Sequence, residues 1–461
     1  MPKYVFIFSQ IHLNFRIPEF ISVCSLFGID FDQSLLSTEK HVFVLDFESD
    51  DAVMRILSRT VLVKCAFLLF FRAPDYDILS DVLIRNREIF LSYNSPEESF
   101  ALRIFAVGRK RDLQYQHNII DKFGSLLPLD DAPVDLTNAK NIFFFIEEFG
   151  KTGQVPDLEN VYFGRFVGNG QSHLKVDYSL KTRRYIGNTT MDPELSFIQA
   201  NLIKSRFGSL TLDPFCGTGG LLISAAHFGS SVIGMEINYL VARAKGKSSR
   251  SDKEYLSDDD SIAQNFRQYN LLDRYLAVIL GDASRHEIWR SDIWFGQELF
   301  DAIVADPPYG LREKGRKVGK KERKPSWTLP CQKHEEHYPE KQRYGLASIF
   351  IDLMNLASKL LVVNGRLCFW FPVFKSEYSE RVLPMHPALR LVANCEQSLS
   401  KSYSRRLLLF EKTRRYTEGE EAYIEENCYK NTTFRERVYV GNNTLFIDES
   451  DKIRQSDFES R

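Results

Sequence analysis

The second half of the chain alternates strand-like and helix-like segments in a regular order, and this alternation limits the possible folds more than any other feature. Strand-like Ser209–Phe215 precedes helix-like Gly219–Phe228, and strand-like Ser231–Ile237 precedes another helix-like segment. The order continues through Phe300–Ala305 and Arg366–Phe371. Strands that alternate with helices form βαβ units, so the pattern predicts a mostly parallel sheet.

Two further strand-like segments, Leu389–Ser398 and Arg405–Lys412, close this series. They can pair as a hairpin, which would add one antiparallel strand. We therefore predict a seven-stranded, mostly parallel α/β domain over residues 191–415. Two polar insertions interrupt it: Ser248–Ser261, predicted to be a solvated loop, and Arg312–Lys324, which holds eight basic and two acidic residues.

The first 165 residues follow a different plan. Strand-like segments rich in Phe, Val and Ile alternate with short helix-like segments, which indicates an α+β region, and no catalytic motif is recognisable there. A Gly-rich, polar stretch that begins at Gly164 predicts a linker, which we place at residues 166–190. Residues 416–461 are charged and weakly patterned, and we assign this tail no fold.

Charge and cysteine content narrow the functional classes only slightly. The net charge is −1; residues 1–180 hold 18 Lys and Arg against 24 Asp and Glu, and the remainder holds 42 against 37. Any RNA must therefore be held by local basic patches. Seven scattered cysteines without a CxxC pair favour free thiols in a reducing compartment, so we predict the cytoplasm. No segment has the ~20 apolar residues of a membrane span.

A glycine-rich turn follows the first strand of the α/β domain. It reads Leu212-Asp213-Pro214-Phe215-Cys216-Gly217-Thr218-Gly219-Gly220. Its glycines let the backbone turn tightly and let a ligand approach, and amides at the start of the next helix face that ligand. It lacks the lysine of a phosphate-binding loop. It resembles the first motif of Rossmann-like methyltransferases, in which the loop holds the amino-acid part of S-adenosylmethionine.

Acidic residues end the next two strands, with Glu236 after Gly234-Met235 and Asp282 after Gly281. A carboxylate at the first position can accept hydrogen bonds from both ribose hydroxyls of a nucleoside. In the methyltransferase pattern, the second meets the adenine amino group. Each acid alone is often a helix cap, so the ordered spacing of both acids after Asp213 is what makes them informative.

The strongest signal is Asp306-Pro307-Pro308-Tyr309-Gly310, directly after a strand. A nitrogen attached to an aromatic base is a poor nucleophile because its lone pair is delocalised. The Asp306 carboxylate can accept one N–H bond and the Pro307 carbonyl the other, with Pro308 adding rigidity. Tyr309 can stack on a base that has left its helix. These four residues predict a methyltransferase for adenine, cytosine or guanine amines, although such a motif alone is more often a turn.

Two other sets of residues have weaker signals. Cys331, His334 and His337 have metal-ligand spacing, but no fourth ligand lies nearby in the sequence, so we predict no metal site. The basic run after the catalytic motif is well placed to contact phosphates, and it is equally typical of a solvated loop. The candidate RNA-binding residues are Arg184, Arg312, Lys314, Arg316 and Lys317.

Two longer stretches resemble the catalytic subunit of the tRNA (guanine-10-N2)-methyltransferases. The first is Tyr185-Ile186-Gly187-Asn188-Thr189-Thr190-Met191-Asp192-Pro193-Glu194-Leu195-Ser196, which continues through Ala200-Asn201 into the glycine-rich turn. The second is Asp306-Pro307-Pro308-Tyr309-Gly310-Leu311-Arg312-Glu313. The similarity is strong over residues 160–410 and looser in the N-terminal part.

The resemblance implies methyl transfer from S-adenosylmethionine to N2 of guanosine 10 in tRNA. It also implies a ferredoxin-like segment plus a tRNA-binding THUMP domain over residues 1–165, and a small zinc-binding activator subunit that would carry the zinc. The implied cofactor-binding residues are Asp213, Phe215, Cys216, Gly217, Thr218, Gly219, Glu236 and Asp282. Glu236 stands where the family pattern has Asp, and Gln171-Ser172-His173 lacks an expected arginine.

Two other functions remain open from the residues alone. A DNA or protein amino-methyltransferase, or one acting on another RNA, would use the same motif, and a catalytically silent RNA-binding scaffold need not bind S-adenosylmethionine. The enzymatic interpretation requires the glycine-rich turn and the Asp-Pro-Pro-Tyr motif to line one cleft at one edge of one sheet. The position of Tyr309 tests it, because a tyrosine buried in a packed core could not stack on a base.

Overall fold

The computed structural model describes residues 1–150, 157–243, 261–289, 298–310, 313–319 and 340–426, together with Tyr429, Phe434 and Val438. The chain divides into two compact units, Met1–His173 and Leu174–Arg461. Within the described ranges, no helix is long and apolar enough to cross a membrane. Several predicted features lie outside the described residues: positions 248–260 of the first insertion, Arg312, Cys331, His334 and His337.

The N-terminal unit is an α+β domain built on one six-stranded sheet, in the order β2-β1-β3-β6-β5-β4. Its strands are β1 (Lys3–Phe8), β2 (Val42–Asp46), β3 (Val63–Ala73), β4 (Phe100–Ala106), β5 (Asn141–Phe149) and β6 (Leu158–Asn169). Its helices are α1 (Leu13–Phe27), α2 (Asp50–Leu57), α3 (Tyr76–Arg85) and α4 (Leu113–Gly124). Strands β4 and β5 are parallel, and the other neighbouring strands are antiparallel.

Phenylalanine rings fill the core of this unit. Phe6 and Phe20 belong to one buried cluster, and Phe143 and Phe163 belong to a second. Burying rings of this size contributes ~2–3 kcal/mol each relative to exposure. The abundance of phenylalanine in these strands therefore explains how the unit forms an extensive core.

The predicted linker is wrong at its start, because residues 166–169 complete β6 inside the sheet. The glycines that suggested a linker are required by close packing instead. A Cβ atom on Gly164 would lie 2.4 Å from the carbonyl oxygen of Leu68, and one on Gly170 would lie 1.9 Å from that of Val63. Glycine in a strand permits this kind of close backbone approach. Composition alone does not show whether a glycine allows close packing or forms part of a linker.

The C-terminal unit is an α/β domain with a seven-stranded sheet in the order β14-β15-β13-β10-β7-β8-β9. The sheet strands are β7 (Leu210–Asp213), β8 (Ser231–Glu236), β9 (Tyr275–Leu280), β10 (Phe300–Ala305), β13 (Leu361–Phe374), β14 (Leu389–Ser398) and β15 (Tyr403–Lys412). A separate two-stranded ribbon contains β11 (Arg316–Val318) and β12 (Lys341–Arg343). The helices are α5 (Leu174–Asp177), α6 (Pro193–Leu202), α7 (Gly220–His227), α8 (Tyr239–Ala242), α9 (Ile262–Gln268) and α10 (Leu346–Leu360).

The strand directions confirm the predicted Rossmann-like methyltransferase fold. Strands β13, β10, β7, β8 and β9 pair in parallel. Strand β15 runs antiparallel to both of its neighbours, β13 and β14, as the hairpin prediction requires. The chain adds β8 and β9 on one side of β7 and then returns to place β10 on the other side. Ligands of such sheets bind at this reversal of strand order, beyond the carboxyl ends of the strands.

Part of the C-terminal tail packs on this domain, which corrects the assignment of no fold. Tyr423 and Met385 exchange backbone hydrogen bonds of 2.9 Å in each direction. The Tyr429 hydroxyl donates to the Pro372 carbonyl over 2.5 Å, and Phe434 is buried in the core cluster of the domain. A few aromatic anchors hold this segment, and its high charge concealed them in the sequence.

Candidate active site

A cavity of about 930 Å³ lies where the carboxyl ends of β7, β8 and β10 meet. Both sequence motifs contribute to its wall. The predicted residues that line it are Asp213, Phe215, Cys216, Gly217, Thr218, Glu236, Asp282, Asp306, Pro307, Pro308, Tyr309, Lys314 and Arg316. The glycine-rich turn and the Asp-Pro-Pro-Tyr motif therefore share one cleft, which is the arrangement that the enzymatic interpretation requires.

The glycine-rich turn owes its shape to two backbone positions and one buried acid. Gly217 and Gly219 have positive φ angles of 51° and 80°, which disfavour other residues. Gly219 lies outside the cavity lining, and a Cβ atom there would come within 2.9 Å of Ile262. The Phe215 amide donates to Asp213 over 2.9 Å. Burial raises the pKa of the Asp213 carboxyl well above its usual range.

Glu236, at the end of β8, joins the turn to the next strand. Its carboxylate accepts hydrogen bonds from the amides of Gly217, at 3.0 Å, and Asn238, at 2.7 Å. Burial raises the pKa of this carboxyl, while these bonds and the nearby Lys341 ammonium lower it. Lys341 donates to the Ile237 carbonyl over 2.5 Å. The side chain of Glu236 is thus fixed at the cavity wall.

Asp282, just beyond β9, is buried and connects the cavity to the β11–β12 ribbon. One carboxylate oxygen accepts bonds from the amide and hydroxyl of Ser284, at 2.9 and 2.8 Å. The other accepts the Val318 amide over 2.6 Å. The ribbon that carries the start of the basic run is therefore attached directly to a predicted cofactor-binding acid.

Asp306 contributes a partly buried carboxylate to the cavity wall. Among the described residues, none donates a hydrogen bond to its Oδ1 atom. Burial raises the pKa of the Asp306 carboxyl to about 6. The positive charge of Arg405 lowers this pKa, and the negative charge of Glu313 raises it. A partly buried carboxylate in the cavity lining is suited to accept an N–H bond from a bound amine.

Tyr309 is half-buried and borders the cavity rather than a packed core. The ring of Phe434, from the C-terminal tail, lies 6.4 Å away at an angle of 82°. An edge-on contact of this kind supports the Tyr309 ring without covering the cavity. The Tyr309 side chain thus forms part of the cavity wall.

Sequence reasoning missed a wall made by residues 185–192, just before α6. The Gly187 amide donates to the Thr190 hydroxyl over 2.7 Å, and that hydroxyl is 2.9 Å from the hydroxyl of Thr218 in the glycine-rich turn. The side chains of Lys341 and Arg405 were also missed. The resemblance of the Tyr185–Ser196 stretch to the family was the signal for the wall. Nothing in the sequence singled out Lys341 or Arg405.

The predicted RNA-binding residues divide into two groups. Lys314 and Arg316 line the cavity beside Asp282 and Tyr309. Lys317 instead lies 5.4 Å from the centre of the Tyr344 ring, away from the cavity lining. Arg184 is exposed, and its backbone amide donates to Gln268 over 3.1 Å. The structure thus brings two of the described basic residues to the cleft.

The chain is similar to known proteins over nearly its whole length. Residues 2–172 match the family model "Tmrp11 THUMP N-terminal domain", and residues 181–321 match "RMKL-like, methyltransferase domain". The tRNA (guanine(10)-N(2))-methyltransferase TRMT11 of Xenopus laevis is 37% identical over 451 residues, which are 95% of this chain and 91% of that protein.

Proteins of the same name from two other organisms give the same result. The Homo sapiens protein of that name is 37% identical, with 95% of each chain covered. The Dictyostelium discoideum protein is 32% identical over 91% of this chain and 84% of its own length. This chain therefore belongs to the TRMT11 family of tRNA (guanine(10)-N(2))-methyltransferases.

Proposed function

We propose that this chain transfers a methyl group from S-adenosylmethionine to the exocyclic N2 amine of guanosine 10 in tRNA. The observation that carries the proposal is the single cavity shared by the glycine-rich turn and the Asp-Pro-Pro-Tyr motif. A methyl donor and an amine must occupy adjacent sites for transfer between them, and one cleft lined by both motifs allows this.

The residues present fit the cofactor. The carboxylates of Glu236 and Asp282 suit the ribose hydroxyls and the adenine amine, and the Gly217–Thr218 backbone suits the amino-acid part. The cavity of about 930 Å³ has room for a nucleoside and a base together. When bound, S-adenosylmethionine supplies an electrophilic methyl group on a sulfonium centre.

The Asp306–Tyr309 residues prepare the amine. The Asp306 carboxylate and the Pro307 carbonyl each accept one N–H bond, which turns the nitrogen lone pair toward the methyl donor. Tyr309 holds the base by stacking, a contact worth ~1–3 kcal/mol per base. Asp306 can take up the proton that the amine loses as it is methylated, because burial raises the pKa of this carboxyl to about 6. Positioning supplies most of the rate enhancement.

We assign tRNA binding to the N-terminal unit, with local help from the cleft. The match to a THUMP model over residues 2–172 supports the first role. Lys314 and Arg316 at the cavity support the second, because phosphates near an extruded base would lie within reach of such side chains. Location in the cytoplasm is proposed from the scattered thiols, of which the described Cys24, Cys65, Cys216, Cys368 and Cys395 are unpaired.

A small zinc-binding activator subunit is proposed as the partner, on the family resemblance alone. Its role is tested by assaying the chain with and without the candidate partner. If the chain is fully active and equally stable without it, the partner is not required.

The decisive experiment incubates the chain with unmodified tRNA and isotope-labelled S-adenosylmethionine, followed by mass spectrometry of the nucleosides. The expected product is N2-methylguanosine, lost when guanosine 10 is replaced by adenosine. Label in adenine or cytosine, in DNA, or in protein would favour the alternative amino-methyltransferases. Absence of cofactor binding in a titration would favour the silent scaffold.

A further inference from the structure

Arg405 is held rigidly at the wall of the active-site cavity. It lies near the start of β15, opposite Pro372 of β13, and its side chain is only 12% exposed. The guanidinium stacks 4.0 Å from the centre of the Trp370 ring, and its Nε donates to Gln397 over 2.6 Å. These contacts fix the guanidinium plane before any substrate binds.

The outer end of the same guanidinium faces two of the proposed catalytic side chains. Nη1 is 3.9 Å from Asp306 Oδ1 and donates to the Tyr309 hydroxyl over 3.4 Å. Nη2 lies 3.5 Å from the sulfur of Met191, which also borders the cavity. One cation therefore joins the proposed amine acceptor to the proposed stacking ring.

We propose that Arg405 is a positioning residue for methyl transfer, which keeps Asp306 ionised and holds Tyr309 at the face of the base. This inference rests on the proposed function. The 3.9 Å separation from Asp306 is too long for a hydrogen bond. The charge of Arg405 can therefore act on the carboxylate without a hydrogen bond that would compete with the amine.

The charges around Asp306 make this role necessary. Among the described residues, Glu313 presents negative charge to this carboxyl, and Arg405 presents the positive charge that opposes it. Burial and Glu313 both favour the protonated acid, which cannot accept an N–H bond at the oxygen that carries the proton. Arg405 therefore widens the pH range in which the acceptor is available.

The test is the pH profile of kcat/KM on unmodified tRNA, measured for wild type, Arg405→Gln and Arg405→Lys. Loss of the charge in Arg405→Gln should move the acidic limb upward by about one pH unit or more, because an opposite charge within ~4–6 Å shifts the pKa of a carboxyl by about 1–3 units. Arg405→Lys should return the limb toward the wild-type position. It should still show a raised KM for tRNA, because lysine lacks the planar contacts with Trp370 and Gln397.

Arg406 provides a matched control in the next position of β15. Its guanidinium also stacks on a ring, 3.6 Å from the centre of Tyr378, and donates to Asn394 over 3.1 Å. It is absent from the cavity lining. Arg406→Gln should therefore leave the acidic limb where it is, even if the variant is less stable.

The outcomes separate the two proposals. If wild type makes no N2-methylguanosine, the proposed function fails. If wild type makes it but the limb stays in place in Arg405→Gln, or moves equally in Arg406→Gln, the positioning role is overturned. A folding defect alone lowers the active fraction without moving the limb. If Arg405→Gln does not fold, Arg405→Lys provides the test, because it keeps the positive charge. An acidic limb displaced by about one pH unit in Arg405→Lys would contradict the role of charge.

Discussion

The Gly217 amide donates a 3.0 Å hydrogen bond to the carboxylate of Glu236, so the glycine-rich turn and the acid at the end of the next strand form one unit. The same carboxylate accepts the Asn238 amide over 2.7 Å. Glu236 thus fixes the conformation of the glycine-rich turn, and it is also proposed to bind the cofactor directly. Changes at this residue should act on the cofactor site through both roles.

We predict that Glu236→Ala weakens binding of S-adenosylmethionine by roughly 10- to 100-fold, since a hydrogen bond to a charged group contributes ~1.5–3 kcal/mol. Isothermal titration calorimetry with the cofactor or its demethylated product measures the change. Glu287→Gln is the control, because this exposed acid pairs with Arg285 outside the cavity lining. Equal affinity in Glu236→Ala and wild type would remove Glu236 from the cofactor site.

Asp306→Ala should abolish methyl transfer and leave cofactor affinity within about twofold. The Asp306 carboxylate lines the cavity and is proposed to act on the amine, whereas the cofactor is proposed to contact other carboxylates. Single-turnover transfer to tRNA and calorimetry report the two effects separately. Asp301→Asn is a control at the other end of β10, where the carboxylate accepts the Leu210 amide over 2.9 Å. It should cost stability rather than chemistry, and substantial turnover by Asp306→Ala would refute the assigned role.

The rate should rise with pH through about 6, because burial raises the pKa of the Asp306 carboxyl to that value and only the carboxylate form has both oxygens free to accept. Glu313 contributes to this upward shift of the pKa. Removing its charge in Glu313→Gln should lower the pKa, so the acidic limb of kcat/KM moves to lower pH. Removal of the positive charge of Arg405 is expected to move the acidic limb to higher pH.

This pair of opposite shifts is measured by steady-state kinetics between pH 5 and 8 on one tRNA. The amide in Glu313→Gln can still accept the Thr189 hydroxyl, which donates over 3.1 Å, so the cavity wall should persist. A limb that moves upward in both variants would point to loss of structure instead of charge.

The sequence allowed the catalytic domain to be predicted in detail because its signals are local. Strand and helix periods, turn glycines and the acid at each strand end can all be recognised within a few residues. The hairpin of β14 and β15 could be predicted for the same reason. Arg405 could not, because its role comes from the pairing of β15 with β13, which brings it beside Asp306, nearly 100 positions earlier in the chain.

The errors in prediction have the same physical origin. The Gly-rich stretch that begins at Gly164 predicts a linker, yet the lack of a side chain at Gly164 allows the close contact between β6 and β3. The high charge of the C-terminal tail gave no indication of a fold. Tyr429 nevertheless anchors the tail on β13, and Phe434 anchors it beside Tyr309. In both cases the deciding contact is with residues distant in sequence. A local pattern carries no information about such a contact.

The Tyr309 ring and its hydroxyl should have separable roles. Tyr309→Ala removes the stacking surface and should lower kcat/KM by roughly 5- to 150-fold, the equivalent of ~1–3 kcal/mol of stacking. Tyr309→Phe keeps the ring and loses the hydroxyl that accepts the 3.4 Å bond from Arg405, so its decrease in kcat/KM should be severalfold smaller. Fluorescence of 2-aminopurine placed at tRNA position 10 would report the stacking. Equal losses in both variants would show that the ring face is not used.

Gly164→Ala should destabilise the N-terminal unit by ~1–3 kcal/mol, the usual cost of forcing extra atoms into a packed region. The added Cβ would lie 2.4 Å from the Leu68 carbonyl oxygen, which belongs to the β3 backbone and cannot move without breaking the pairing of β3 with β6. Gly124→Ala, at the end of α4, is the matched control in the same unit, because its Cβ would meet only a Leu102 methyl group at 3.9 Å. Alanine also favours the helix over glycine, so the control should be neutral or slightly stabilising. Urea unfolding of the whole chain, followed by hydrogen exchange of peptides from residues 1–173, gives both values, because all four tryptophans lie in the C-terminal unit and fluorescence would not report on the N-terminal one. Equal stability of the two variants would mean that β6 can shift away from β3, and that the glycine at this position is not a packing requirement.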